Sequence, residues 1–398
     1  MQISDRAKSV KPSPTLTIDA KAKALKAAGE DVIGFGAGEP DFDTPANIKQ
    51  AAVRALEKGQ TKYTAVGGTD ELKDAIRAKL KRDNGLDYAR EEIIVSCGAK
   101  HSLYNLFQAV LNPGDEIIVP TPYWVSYPDM ALLAGAKPVF VEGREEDGFK
   151  VRPEALAKVI TPKSRLVVIN SPSNPTGGAY TAAELKAIAD VVRPHKDLSI
   201  VSDEIYEKLL YDGFPFATIA AVDEEIKART FVVNGMSKAY SMTGWRLGYT
   251  AGDKAVIGAM TKIQGQSTSN PTSIAQAAGA EALNGPEDEI KRMAEEFGKR
   301  RNFIVDRLNA IPGITCRKPE GAFYVFPNIS GLFGKKAGEI TIGDADAFAS
   351  YLLEQYKVAV VPGGGFGAPN YMRLSYATSM DNISRGLDRI AEAVSKLS

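Results

Sequence analysis

The run RLVVIN at residues 165–170 is apolar at every position between its two ends, and the proline-punctuated NSPSNPTG at 170–177 halts it at once. A half-exposed strand alternates apolar and polar residues; one that is apolar throughout is buried on both faces, as in a parallel sheet covered by helices. Working outward, six further runs share this character: IIVS (93–96), EIIVP (116–120), KPVFVE (137–142), LSIVSD (198–203), TFVVNG (230–235) and RLGYTAG (246–252). Helical periodicity fills the intervals at 99–111 and 181–192, and another helix at 270–283 ends before Asn284-Gly285-Pro286. The expectation is an α/β large domain over 41–286, built on a mostly parallel seven-stranded sheet. A long charged amphipathic segment at 287–310 reads as an interdomain helix. It opens a smaller α+β domain over 287–398, with strands at 321–329, 358–363 and 371–377 and helices at 344–355 and 381–397. Residues 1–40 are expected to form an N-terminal arm and part of that small domain.

Composition narrows the function. The 398 residues carry 49 basic and 49 acidic side chains. Zero net charge argues against bulk nucleic acid or an anionic membrane as partner, because both call for a basic excess. No run approaches the length of a membrane span. The start, MQISDRAKSVKPSP, has no apolar stretch after its charges and does not read as a secretory signal. Two distant cysteines, Cys97 and Cys316, make neither a disulfide framework nor a thiolate zinc site, so a reducing, cytoplasmic setting and no metal are expected. Two histidines, His101 and His195, leave acid–base work to Lys, Tyr, Asp or Glu.

The segment SKAYSMTGWR at 237–246 lies in the turn between two expected strands, where α/β proteins display functional groups. A lysine desolvated in an apolar loop has a depressed pKa and can act as an amine nucleophile toward an aldehyde. Ser237 and Arg246 could hold a phosphate by hydroxyl donation and a bidentate fork. Taken alone, the segment could equally be a surface loop with unrelated charges.

The extended string SKAYSMTGWRLGY resembles the cofactor-lysine signature of the class I pyridoxal-phosphate aminotransferases, of fold type I, in the aspartate aminotransferase superfamily. AGEPDFDTP (37–45), TKYTAVGG (61–68), NSPSNPTG with SDEIYEKLLYDG (202–213), and NYMRLSYATS (370–379) match further segments in the order that family requires, so the resemblance spans nearly the whole chain. It implies pyridoxal 5′-phosphate as cofactor and Lys238 as the residue that binds it covalently and moves the substrate α-proton. Asp203 would pair with the protonated ring nitrogen and keep the ring an electron sink. Tyr206, with Asn174, would hydrogen-bond the cofactor's phenolic oxygen. Its place three residues after Asp203 suggests one helical turn.

Gly98, Ala99 and Lys100 match the phosphate-cradling turn, at a strand end that opens a helix and so offers N–H groups to an anion. Ser237 and Arg246 would complete that site. Trp124, in PTPYWVSYP, matches the aromatic that stacks on the ring. Tyr63 matches a tyrosine supplied to the phosphate of the neighbouring subunit, which implies a homodimer with shared active sites. Arg373 matches the arginine that forks the substrate α-carboxylate, and Gly38 the backbone that approaches it. Its neighbours Leu374 and Tyr376 leave the face of Arg373 undecided.

An acidic substrate needs a second cation. The segment QGQSTSNP at 264–271, where one branch of the family carries a partner-chain arginine, has none. The sequence instead resembles the bacterial subgroup in which Lys100, Ser13 and Thr15, with Lys11 nearby, would meet the distal carboxylate. The implied reaction is ping-pong transamination between L-aspartate and 2-oxoglutarate, giving oxaloacetate and L-glutamate, with prephenate as a further acceptor. An aromatic or alanine aminotransferase is the alternative, and a pyridoxal-phosphate lyase the alternative outside transamination. A nicotinamide dehydrogenase fails for want of G-x-G-x-x-G after the first strand, since GGGFG at 363–367 comes late.

Overall fold

The computed structural model describes residues 2–12 and 14–398, apart from the side chains of Pro14, Thr15, Leu16 and Asp19. Its centre is an eight-stranded sheet in the order Ile93–Ser96, Gly248–Ala251, Thr230–Gly235, Ser199–Asp203, Ser164–Asn170, Glu116–Thr121, Lys137–Arg144, Lys150–Val151. All seven expected runs are present. The expected count of seven is one short, because the two-residue Lys150–Val151 pairs antiparallel at the edge, too short to leave a periodic signal. The five inner strands from Thr230–Gly235 to Lys137–Arg144 are parallel, and Gly248–Ala251 runs against its two neighbours.

Helices cover both faces, as the continuous apolar runs require. Ala99–Val110 buries Leu103, Leu106 and Phe107 against one face, and full burial of each such side chain is worth about 1.5–3 kcal/mol. Ala182–Val192 lies on the other face. It begins with Thr181, which accepts from the Glu184 N–H while the Glu184 carboxylate accepts from the Thr181 N–H. That reciprocal cap satisfies two donors that helix geometry leaves without partners.

A second body is built on the antiparallel strands Tyr324–Val325, Met372–Ser375 and Val361–Pro362, shorter than the apolar runs that carry them. Ile33–Gly34 pairs parallel with Val358–Ala359, so the N-terminal chain joins this body. Helix Met380–Ser395 packs there too. Its Gly386 permits that approach: a Cβ would sit 2.4 Å from the Phe35 ring. The short helix Asp5–Ser9, by contrast, packs against Ser126–Leu133 beside the large sheet. The long helix Asp288–Asn309 serves both bodies. Ile290 and Met293 enter the core beneath the sheet, while Ile304, Val305 and Leu308 enter the C-terminal core. Among the described residues, no helix is long and apolar enough to cross a membrane.

Candidate active site

Parallel sheets place ligands beyond the carboxyl ends of their strands. Here the register sets Asn170 opposite Asp203, and Asp203 opposite Val233, at three adjacent strand ends. Over these ends opens a cavity of about 310 Å³, lined among others by Lys100, Trp124, Asn174, Asp203, Lys238 and Arg373. Gly38, Ala99, Tyr206, Ser237 and Arg246 also reach its wall. Residues from opposite ends of the chain thus share one pocket.

Asp203 is buried at the last position of its strand. Oδ2 accepts from the Tyr127 hydroxyl at 2.6 Å and Oδ1 from the Ile205 N–H at 3.3 Å. Burial disfavours the charged form and pushes the carboxyl up to about 6, while these bonds and Lys238 pull it down. Tyr206 follows in a turn rather than the expected helical turn, because the chain leaves the strand there. Its hydroxyl lies 3.0 Å from that of Tyr324.

Lys238 sits in the turn after Thr230–Gly235. Burial is the main force holding its amine down at about 8, and the positive charges of Arg373, Arg246 and Lys100 add to it. The Nζ donates to the Gly38 carbonyl. The turn is conformationally demanding, with Ser241 at φ 51° and Arg246 at φ 54°, a region that non-glycine residues seldom occupy. Arg246 there donates to the Thr243 carbonyl at 2.7 Å. Its guanidinium lies against Gly98, where φ is 93° and a Cβ would fall 2.5 Å from Nη2. The glycine lets the arginine reach the N-terminus of helix Ala99–Val110, and Ser237 faces the same cavity.

Arg373 is 2% exposed and faces inward, which settles its side of the strand. Nη1 donates to Asn174 Oδ1 at 2.9 Å and Nη2 to the Gly36 carbonyl at 2.7 Å, while the buried Nε has no partner among the described residues. The Tyr324 ring lies 4.6 Å from the guanidinium carbon. With Asn174 Oδ1 so occupied, the amide NH2 is the end that can donate into the cavity.

The expected distal residues are less uniform. Lys100 lines the cavity with Nζ 4.9 Å from the Trp124 ring centroid, and burial with the nearby Arg246 charge lowers its pKa. Lys11 is exposed and stands apart from the cavity wall, near enough to Asp129 for its charge to lower that carboxyl's pKa against the raising effect of burial. Ser13 lies outside the described residues, as does the side chain of Thr15 on helix Pro14–Ala27. Tyr63 is 91% exposed and away from its own chain's cavity.

Tyr127 and Tyr324 were not singled out from sequence. Tyr127 falls within the quoted PYWVSYP, three residues after Trp124, and helical spacing from that aromatic could have flagged it. Tyr324 carries no local signal, since its role depends on contacts with residues more than a hundred positions earlier or nearly fifty later.

The family model for class I and II aminotransferases matches residues 30–390. An aspartate aminotransferase of Geobacillus stearothermophilus is 55% identical over 390 residues, covering 98% of each chain. An aspartate/prephenate aminotransferase of Nitrosomonas europaea is 51% identical over 99% of this chain and 100% of its own. Among solved structures, an aspartate aminotransferase from Rhizobium meliloti superposes with a TM-score of 0.97 at 48% identity, covering both chains fully. One from Thermus thermophilus with maleate gives 0.92 at 44% identity, over 99% of this chain and 100% of that one.

Proposed function

The chain belongs to the class I and II aminotransferases, and from that premise we propose that it transfers the amino group of L-aspartate to 2-oxoglutarate at the cavity above the sheet. The family depends on pyridoxal 5′-phosphate. The residues present fit that group. Arg246, Ser237 and the N-terminus of Ala99–Val110 form an anion cradle at one end, and the buried Asp203 carboxylate supplies a partner for a protonated ring nitrogen. When bound, the cofactor supplies an electron-withdrawing ring that takes up the electron pair left as the α-proton departs.

This chain's own groups do the rest. Asp203, whose ionised form the Tyr127 bond favours, would accept a hydrogen bond from the protonated ring nitrogen. Asn174 and Tyr206 would donate to the phenolic oxygen, and Trp124 would stack on the ring. The Arg373 guanidinium, which lines the cavity, binds the substrate α-carboxylate and orients the α C–H bond. The Lys238 amine, whose hold on a proton burial weakens, removes that proton and returns it in the reverse half-reaction. Lys100 meets the distal carboxylate of a dicarboxylic substrate; the Thermus thermophilus relative is a structure with maleate, itself a dicarboxylate. Relatives named aspartate/prephenate aminotransferases support prephenate as a second acceptor.

A homodimer in which Tyr63 reaches the partner's phosphate site accords with its exposure, and a cytoplasmic location accords with the family. A division near residues 41 and 287 into large and small domains accords with the separate C-terminal core around Phe348, Leu374 and Leu387. The observation that carries the proposal is the convergence of the Lys238 amine, Asp203 carboxylate and Arg373 guanidinium on one cavity. The test is a panel of aspartate, alanine and tyrosine against 2-oxoglutarate. Aspartate turning over fastest, with ping-pong kinetics, supports it; tyrosine or alanine far ahead of aspartate, or release of ammonia, overturns it.

A further inference from the structure

We propose that Asp41 and Arg300 form a positioning latch, fastening the segment that supports Arg373 and Lys238 to the long helix Asp288–Asn309. This rests on the roles of Arg373 and Lys238 given above. Residues 36–44 cross from the C-terminal body, where the Phe35 N–H donates to the Ala359 carbonyl and the Ser375 N–H to the Phe35 carbonyl, to helix Ala46–Glu57 on the large one. The crossing has no helix or strand of its own. Yet its Gly36 carbonyl accepts from Arg373 and its Gly38 carbonyl from Lys238. Backbone without a hydrogen-bonded ladder is held only as well as its side-chain ties hold it.

Those ties are few. At the far end the Thr44 hydroxyl donates to the Ser241 carbonyl and accepts from Trp245 Nε1, and the Glu39 carboxylate accepts from Thr243. In the middle, Arg300 Nη1 donates to Asp41 Oδ1 at 2.7 Å, and Arg300 Nε to Glu296 at 3.1 Å on its own helix. Arg300 is 5% exposed, and its guanidinium carbon lies 5.0 Å from the Phe42 ring and 5.6 Å from Phe297. The arginine end of this charge-assisted bond is desolvated while the Asp41 side chain keeps 30% of its surface in solvent, so water screens the pair less than it does a fully exposed ion pair.

A second route runs from the same helix to the same arginine. Phe42 meets Phe297 edge-on at 5.3 Å, Phe297 lies 5.4 Å from Phe323, and Phe323 lies 4.8 Å from Tyr324. Tyr324 covers Arg373, and its hydroxyl would stand 2.9 Å from a Cβ on Gly38. The helix therefore fixes both the carbonyl that Arg373 donates to and the ring beneath it. Asp41 and Arg300 touch neither substrate nor cofactor; they set where the α-carboxylate fork and the Gly38 backbone stand.

The test uses the full-length, cofactor-loaded enzyme. Asp41→Asn should raise KM for aspartate about tenfold, the loss of a charge-assisted bond's worth of positioning, with kcat within about threefold of wild type. Amide hydrogen exchange across residues 36–44 should quicken, and Asp41→Glu should restore most of both readouts. Glu296→Gln, which removes the other partner of Arg300 without loosening the crossing, should leave KM unchanged. Unaltered KM and exchange in Asp41→Asn would overturn the latch, as would an equal rise in KM for Glu296→Gln. A wild-type enzyme inactive on aspartate would instead overturn the functional reading, while the exchange data would still decide the latch.

Discussion

The Tyr127 hydroxyl donates to Oδ2 of Asp203 across 2.6 Å, with both groups buried. Burial alone disfavours an ionised carboxylate. Tyr127 favours it, because a hydrogen bond to the charged form lowers an acid's pKa. The pair leaves Asp203 near 6, ionised at neutral pH yet placed in an apolar floor where its charge is little screened.

Tyr127→Phe removes that donor and should raise the Asp203 pKa by about one unit or more. In the cofactor-free variant, affinity for added pyridoxal 5′-phosphate should fall several-fold near pH 7 and recover as pH rises, since the ionised carboxylate is the form that pairs with a protonated ring nitrogen. An affinity–pH profile whose acidic limb stays where the wild type has it would contradict this.

Asp203 also limits stability. Its folded pKa of about 6 lies above the ordinary 3.8, so the native state favours the proton. Stability is greatest below about pH 4 in this respect and is lost as pH rises to about 6. Asp203→Asn should therefore stabilise the cofactor-free protein by about 3 kcal/mol at pH 8 and by well under about 1 kcal/mol at pH 4, while removing transaminase activity. Thermal melts at the two pH values read this directly.

Lys238, held at about 8, should become reactive at lower pH than other lysines. In cofactor-free protein, acylation of Lys238 should rise through about pH 8, followed by peptide mass spectrometry, ahead of exposed lysines near 10.4. Lys238→Arg keeps a charge that does not dissociate, and turnover should drop by about a thousandfold or more.

Lys100→Met tests the distal site. The KM for aspartate should rise at least about tenfold and that for alanine should stay within about twofold, because only aspartate presents a second carboxylate. Equal effects on both would remove Lys100 from substrate discrimination.

Tyr63 is 91% exposed on its own chain. Tyr63→Phe should leave the melting temperature unchanged, yet weaken cofactor affinity about tenfold by loss of one hydrogen bond to phosphate. Fluorescence titration of cofactor into the variant measures it, and unchanged affinity would argue against a shared site.

Much of the frame is legible in the chain itself. The apolar runs ending at Asn170, Asp203 and Gly235 mark inner parallel strands because a strand covered on both faces has no polar side to show. Ser379 and Thr181 mark helix starts through side chains that accept local N–H groups. Of the large sheet's strands, Lys150–Val151 at the edge escapes the expected runs, being too short for any period. The motif around Lys238 is equally plain, since the turn after a buried strand, with a lysine, a serine and an arginine, is a local pattern.

What folding adds is convergence across distance. Whether Arg373 faces in or out depends on the register of Met372–Ser375 against Val361–Pro362 and Tyr324–Val325, and on the Gly36 carbonyl and Asn174 it meets there. Tyr127 matters because it stands over Asp203, and Asp41 because Arg300 lies across from it; neither pairing has any local sequence spacing. Alternation and periodicity report how each segment meets water, which is a property of neighbouring residues. The electrostatics of the site come from which charges are brought together and away from water, and only the packed chain determines that.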